Sequence, residues 1–181
     1  MHHNYNHSMM QNVKIVSKIL FYLTRFLAIL YFLISAHSII ALITKWALTT
    51  KDNGKYFQIC FPFTQKPFLV GDNNLGYMIF NFLLPLSLYG LFFLLVSNVF
   101  KVFFQPKLFT LNGIKHLKWF YLANLIFPSL SVLLASIFTN KVEDPGEFLI
   151  VLHFILGIFA YFLAAIFKQG LNLQNEQDLY I

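Results

Sequence analysis

The chain has 181 residues, a formal net charge of +6, a hydrophobic fraction of 58%, an aromatic fraction of 19% and a charged fraction of only 11%. About a quarter of the residues of a soluble globular domain are charged, so this composition argues against a soluble core protein, and the length leaves no room for a separate soluble domain. The basic residues are spread over short connections without interleaved stacking aromatics, which argues against direct nucleic-acid binding.

Residues 1–13 are polar, with His2, His3 and His7 but no partner Cys or Asp for a metal, and read as a disordered tail. Four apolar runs follow: Ile19–Ile43, Leu75–Phe100, Trp119–Phe138 and Phe148–Phe167. At 1.5 Å per residue each can cross a hydrocarbon core of roughly 30 Å. Lipid offers backbone amides no partners, so each run must pair its own N–H and C=O groups as a helix. The expected fold is all-α: one integral membrane domain, a four-helix transmembrane bundle with spans near 19–43, 75–100, 119–138 and 148–167. The first run is too long for a signal-peptide core, and no small-residue cleavage site follows it before Lys45 and Trp46, so it reads as a retained span.

The sizeable loop, Thr44–Asn74, is about 30 residues long. Asp52-Asn53-Gly54 signals a turn, and Tyr56–Phe61 reads as a short strand or a re-entrant plug, with Pro62 and Pro67 excluding a helix. Its aromatic density has two readings, a lid over the outer face of the bundle or an anchor in the membrane interface. The lone Cys60 has no partner for an internal disulfide and reads as an apolar filler.

The second connection, 101–118, is basic. Pro106 breaks the second helix, Thr110 is the expected N-cap, and Leu111, Ile114 and Leu117 recur at helical spacing opposite Lys115 and Lys118. This predicts a short amphipathic ramp at the membrane surface, whose lysines suit anionic headgroups or an acidic partner. The third connection, 141–147, is mostly acidic. Lys168 and Gly170 are expected to end the fourth helix, with Gly170 as a left-handed cap. The tail 168–181 then finishes on Leu179, Tyr180 and Ile181, apolar residues that predict docking on a protein surface.

Lys14, Lys18, Lys101, Lys107, Lys115, Lys118 and Lys168 fall on one side of this arrangement, against Lys45, Lys51, Lys55, Lys66 and Lys141 on the other. The positive-inside rule then places both termini in the cytoplasm and the 44–74 loop outside.

Polar side chains within spans are functional candidates because burying them in lipid is costly. By depth, Arg25, Asn98 and Asn124 fall in an inner layer, and Ser35, His37, Ser38, Asn81 and His153 in an outer one. Arg25 lies within snorkelling reach of the inner headgroups, and the asparagines read as interhelical hydrogen-bonding groups. If the first and fourth helices are neighbours, His37 and His153 could face one another and ligate a haem or hold a quinone; two separately satisfied histidines is the simpler reading. Asn81 with Pro85 echoes Asn124 with Pro128, a weak hint of an internal repeat. No catalytic triad, zinc-type spacing or phosphate-cradling loop is present, so an enzyme is not the expectation.

The segment Pro106–Lys118 and the ending Ala165–Ile181 resemble the YoaS-like domain of unknown function, a bacterial family of small four-span membrane proteins. Its members carry a Phe-Thr/Ser-x-x-Asn stretch before the third span, here Phe109-Thr110-Leu111-Asn112-Gly113 with the Asn at 112, and a closing Gly-x-x-Leu-Gln-x-Glu-x-Asp-Leu-x-Ile-like tail. The family usually has Gly-x-Pro-Phe where this chain has Pro106-Lys107-Leu108-Phe109, so the entry turn departs from the pattern. The resemblance implies the bacterial cytoplasmic membrane and a link to small helix-turn-helix regulators, and it supplies no catalytic residues. The leading expectation is a sensor or regulatory partner without a cofactor, presenting Lys115, Lys118, Leu179, Tyr180 and Ile181 to a cytoplasmic protein, with membrane lipids and a second copy of the chain as further partners. The alternative is a haem-, quinone- or small-molecule-binding or transporting bundle built on His37 and His153.

Overall fold

The computed structural model describes residues 2–139 and 146–178, with side chains described from Met9 and, in the second stretch, from Glu147. Its elements are a helix α1 (His2–Thr44), three strands β1 (Leu48–Lys51), β2 (Tyr56–Cys60) and β3 (Pro67–Asp72), a π-helical segment Tyr77–Leu83 that leads into α2 (Leu84–Phe103), then α3 (Leu111–Thr139) and α4 (Gly146–Asp178). Four helical stretches are long and apolar enough to cross a membrane: Met9–Thr44, Tyr77–Phe103, Leu111–Thr139 and Glu147–Asp178. All four exceed the roughly 20 residues a hydrocarbon core requires, so part of each helix must project beyond it or tilt within it.

Several expectations are corrected. The fold is not purely helical, because the 44–74 segment holds an antiparallel three-stranded sheet in the order β1-β2-β3. The strand reading of Tyr56–Phe61 holds for Tyr56–Cys60, and the Asp52-Asn53-Gly54 turn joins it to β1 with Leu48 opposite Ile59 and Lys51 opposite Tyr56. Three consecutive positions there, Asp52, Asn53 and Gly54, take positive φ, which Asn, Asp and Gly tolerate best. The polar start of the chain belongs to α1. The ramp is not a separate element: residues 104–110 alone separate α2 from α3, and 111–118 are the first turns of α3. Lys168 and Gly170 do not end α4, which continues to Asp178.

The π-helical segment has a local cause. Pro85 has no N–H to give, and its ring crowds the carbonyl one turn back, so the helix widens over the preceding residues and the Leu84 N–H reaches the Ile79 carbonyl, five residues back. Asn74 starts this helix, its side-chain oxygen accepting from the Tyr77 N–H at 3.2 Å.

The chain forms two compact units. The first comprises Met1–Ala28, Leu91–Ile126 and Val151–Ile181. Its core is Val102, Leu117, Ala164 and Phe167, with Phe103, Leu108, Phe109 and Tyr121 packed around them. The α4 face that builds it is a regular stripe of buried residues, His153, Gly157, Ala160, Ala164 and Phe167, while Phe154, Ile155, Ile158 and Phe162 beside it are exposed. Small residues on the buried side and large apolar ones outside is the pattern of a helix that packs in lipid, where close backbone approach replaces the hydrophobic drive. Gly157 makes that approach literal: a Cβ there would stand 2.9 Å from Leu125 and 3.3 Å from the Tyr121 carbonyl oxygen.

The second unit comprises Ile29–Gly90 and Phe127–Ile150. Its core is Ala41, Phe57 and Ile59, with Leu42, Leu48, Leu69, Tyr77, Met78 and Phe82 against them. Phe57 and Ile59 are inward-facing alternate residues of β2, both fully buried, so the sheet packs one face on α1 and on the start of the second span. The Phe80 and Phe138 rings stack at 4.4 Å in the same unit.

Candidate functional site

In the first unit the polar residues of the spans meet in two side-chain pairs. Arg25 of α1 donates from Nη2 to Asn98 Oδ1 of α2 at 2.8 Å, and its guanidinium lies 5.2 Å from the centre of the Phe21 ring one turn earlier. This gives the cation a charge-assisted hydrogen bond and an aromatic face, so Arg25 is engaged within the unit. Asn124 of α3 and His153 of α4 form the second pair at 2.9 Å between Asn124 Oδ1 and His153 Nδ1. Asn124 Nδ2 donates to the Phe120 carbonyl at 2.8 Å, which fixes the amide orientation and makes Oδ1 the acceptor, so Nδ1 of His153 carries the proton. The Phe92 ring stands edge-on to the imidazole at 5.1 Å.

This pairing corrects the two-layer arrangement. His153 belongs at one level with Asn124 and not in an outer layer apart from it. α3 and α4 are staggered against the equal-span alignment, as the neighbouring Gly157 against Tyr121 and Phe167 against Phe109 also show.

In the second unit the polar groups are tied differently. His37 Nε2 lies 2.9 Å from the Cys60 carbonyl oxygen, which can only accept, so Nε2 carries the proton. The Trp46 indole is edge-on to the same imidazole at 5.9 Å. Ser35 and Ser87 hydroxyls meet at 2.7 Å, joining α1 to α2, and Asn81 Nδ2 donates to Thr139 Oγ1 at 3.4 Å. Ser38, Thr44 and Thr139 return their hydroxyls to carbonyls four residues back, the usual way to satisfy a hydroxyl in apolar surroundings. Asn81 and Asn124 thus do different work, one from a π-helical segment and one from a regular helix, and the Asn-Pro echo carries no shared geometry.

His37 and His153 fall in different units, each with its own hydrogen-bond acceptor and aromatic neighbour. Ligating a metal or a quinone oxygen through those same nitrogens would break these bonds. Among the described residues no group of three or more His, Cys, Asp or Glu is placed to hold a metal ion, and no buried side-chain nitrogen or oxygen lacks a hydrogen-bond partner.

The segments singled out by motif converge in the first unit. Thr110 caps α3 as expected, its Oγ1 accepting from the Gly113 N–H at 3.0 Å. Leu117 is fully buried, Ile114 is half-buried, and Lys115 and Lys118 are exposed, whereas Leu111, expected on the buried side, is 78% exposed. Phe109 packs edge-on against Phe167 of α4 at 5.3 Å. One turn on, Gly170 receives the same ring so closely that a Cβ would stand 2.7 Å from it. The glycine is therefore a seat for Phe109 and not a helix cap. Leu179, Tyr180 and Ile181 lie outside the described residues.

Sequence reasoning named Ser35 and Ser38 but missed that they recur with Ser17, Thr24, Ala28 and Ala41, all small and all buried in α1. Their recurrence at three-, four- and seven-residue intervals marks the packed side of that helix and was there to be read. Compared with protein-family models, with curated proteins and with solved structures, the chain matches none.

Proposed function

We propose that this chain is a non-enzymatic, multi-pass protein of a bacterial cytoplasmic membrane, similar to the YoaS-like family, and that it acts as a sensor or regulatory partner of a cytoplasmic protein such as a helix-turn-helix regulator. Both termini are cytoplasmic in this reading, following the basic bias of the 101–118 region. One observation carries it: the two segments with the most specific sequence, Pro106–Lys118 and the extension of α4 past Phe167, pack together through Phe109, Phe167 and Gly170. Lys115 and Lys118 on α3 and Asn172, Asn175, Glu176 and Asp178 on α4 are all exposed, and in this reading the two segments together serve a partner, through a basic part on α3 and a polar to acidic part on α4. Exposed charge beside a packed junction suits a protein partner, and the intramembrane polar pairs Arg25–Asn98 and Asn124–His153 are accounted for by each other.

The test is quantitative affinity purification of the full chain from bacterial membranes. The reading expects a cytoplasmic protein enriched with the unaltered chain and lost with Lys115→Glu/Lys118→Glu. Equal enrichment from both, or none from either, contradicts it.

A further inference from the structure

The two ends of the small sheet are chemically opposite. The turn between β1 and β2 carries Asp52, Asn53, Gly54 and Lys55, and it is met by the end of β3 at Asp72, with the Asn73 side chain donating to the Gly54 carbonyl at 2.8 Å. The turn between β2 and β3, Phe61–Lys66, carries aromatic side chains instead. Phe63 is 93% exposed, and Phe61 and Trp46 are 45% and 44% exposed. Trp46 stands edge-on to Phe63 at 5.5 Å, and Phe61 packs on Phe68 at 4.5 Å, so these rings form one apolar tip. Lys45 and Lys66 flank it in sequence, both exposed.

The aromatic end is also the end that folds back along the span. The Cys60 carbonyl is bonded to His37, seven residues and about 10 Å before the end of α1 at Thr44. Ile39, Ile40 and Ile43 on that same stretch of α1 are exposed, and they are the apolar surface a membrane helix turns to lipid. The tip therefore lies beside the last two turns of a helix whose own outer face is made for acyl chains. Its backbone suits the same surroundings. The Phe61 N–H donates to the Lys66 carbonyl at 3.0 Å, the Thr64 N–H to the Phe61 carbonyl at 3.0 Å, the Lys66 N–H to Thr64 Oγ1 at 3.3 Å and the Cys60 N–H to the Ala47 carbonyl at 2.8 Å. Pro62 and Pro67 have no N–H to satisfy, so the turn brings few open donors into an apolar region. Phe63 holds φ at +61°, a conformation costly for a bulky residue, and this holds a large apolar side chain outward with no protein surface over it.

We infer that the Phe61–Lys66 turn, with Trp46, is a membrane-inserted anchor: it sits in the headgroup–acyl boundary of the bilayer that α1 crosses, with Lys45 and Lys66 directed to lipid phosphates. Tryptophan is enriched at such boundaries, phenylalanine joins it on the apolar face of interfacial segments, and lysine meets anionic phosphates there. The sheet is then tethered at its aromatic end and wet at its charged end, whichever side of the membrane holds it.

Tryptophan fluorescence of the full chain in phosphatidylethanolamine–phosphatidylglycerol vesicles tests this. Trp119→Phe leaves Trp46 as the native reporter. In a Trp46→Phe/Trp119→Phe background, Phe63→Trp reports on the tip and Lys51→Trp on the far end, and neither exposed site contributes core packing. The expected result is blue-shifted emission from Trp46 and from Phe63→Trp, quenched several-fold more strongly by brominated acyl chains than that of Lys51→Trp, which iodide quenches instead. Iodide quenching at the tip overturns the inference. So does equal lipid quenching at both ends, and so does protection from both quenchers that is lost on dilution, which would mean a second copy of the chain covers the tip.

Discussion

The two units of this chain solve the problem of polar groups in an apolar solvent in different ways. In the first, side chains from different helices pair with one another, Arg25 with Asn98 and Asn124 with His153. In the second, side chains also pair across helices, Ser35 with Ser87 and Asn81 with Thr139, and in addition the span histidine reaches a backbone carbonyl of the sheet, His37 to Cys60. Side-chain pairs fix the register of one helix against another, whereas a bond to a strand carbonyl fixes the sheet to a helix. The contrast therefore separates a unit whose polar side-chain pairs join helices from one whose polar residues join helices and hold a sheet down as well.

The largest effect should come from the sheet's own core. Phe57→Ala removes a fully buried ring on which Phe82 and Ala41 pack, and large-to-small changes of this kind cost about 3–5 kcal/mol. Hydrogen exchange should show β1, β2 and β3 losing protection while α3 and α4 within the first unit keep theirs; a loss shared by both would dissolve the distinction between them. Next is Gly170→Ala. The added methyl would press on the Phe109 ring, and overpacking of this sort costs about 1–3 kcal/mol, read as a lower midpoint of thermal unfolding in detergent. Were Gly170 a helix cap, the same variant would instead loosen residues 171–178 alone.

A smaller effect is expected at the interhelical pair. Asn124→Leu should cost about 1 kcal/mol, and the double variant with His153→Leu should lose little more than either single one, a coupling of about that size. Additive losses would mean that the two side chains act independently. Thr110→Ala removes an N-cap and should cost about 0.5–1 kcal/mol, confined to the first turns of α3. The smallest expected effect is optical: on the proposed reading the purified protein gives no Soret band, and a band abolished by both His37→Ala and His153→Ala would restore the histidine-ligated reading.

The spans were legible because roughly twenty consecutive apolar residues leave little alternative in lipid, and the α3 cap at Thr110 and the strand at Tyr56–Cys60 were legible from local chemistry. β1 was not, although Leu48–Lys51 before Asp52-Asn53-Gly54 contains both a threonine-rich strand and its turn; its brevity hid it. Gly170 misled because Lys-Gln-Gly is a good local stop signal, and a local signal gives way when a neighbouring ring needs the space. The Asn124–His153 pair was out of reach because the stagger of two antiparallel helices depends on how far each runs past its apolar stretch. α4 runs well past Phe167, and no periodicity within 148–167 reports that. The basic segment and the tail were marked by motif, but that they meet is a tertiary fact, carried by one phenylalanine and one glycine.

The central claim is that the start of α3 and the extension of α4 act as one surface toward one cytoplasmic partner. Photo-cross-linking in living bacteria tests it most directly, with a photoreactive amino acid placed at Lys118 in one chain and at Asn175 in another, both exposed positions. The account predicts that both positions capture the same cytoplasmic protein and that Lys115→Glu abolishes capture from each. Capture of different proteins at the two positions, or of lipid alone at both, would contradict it.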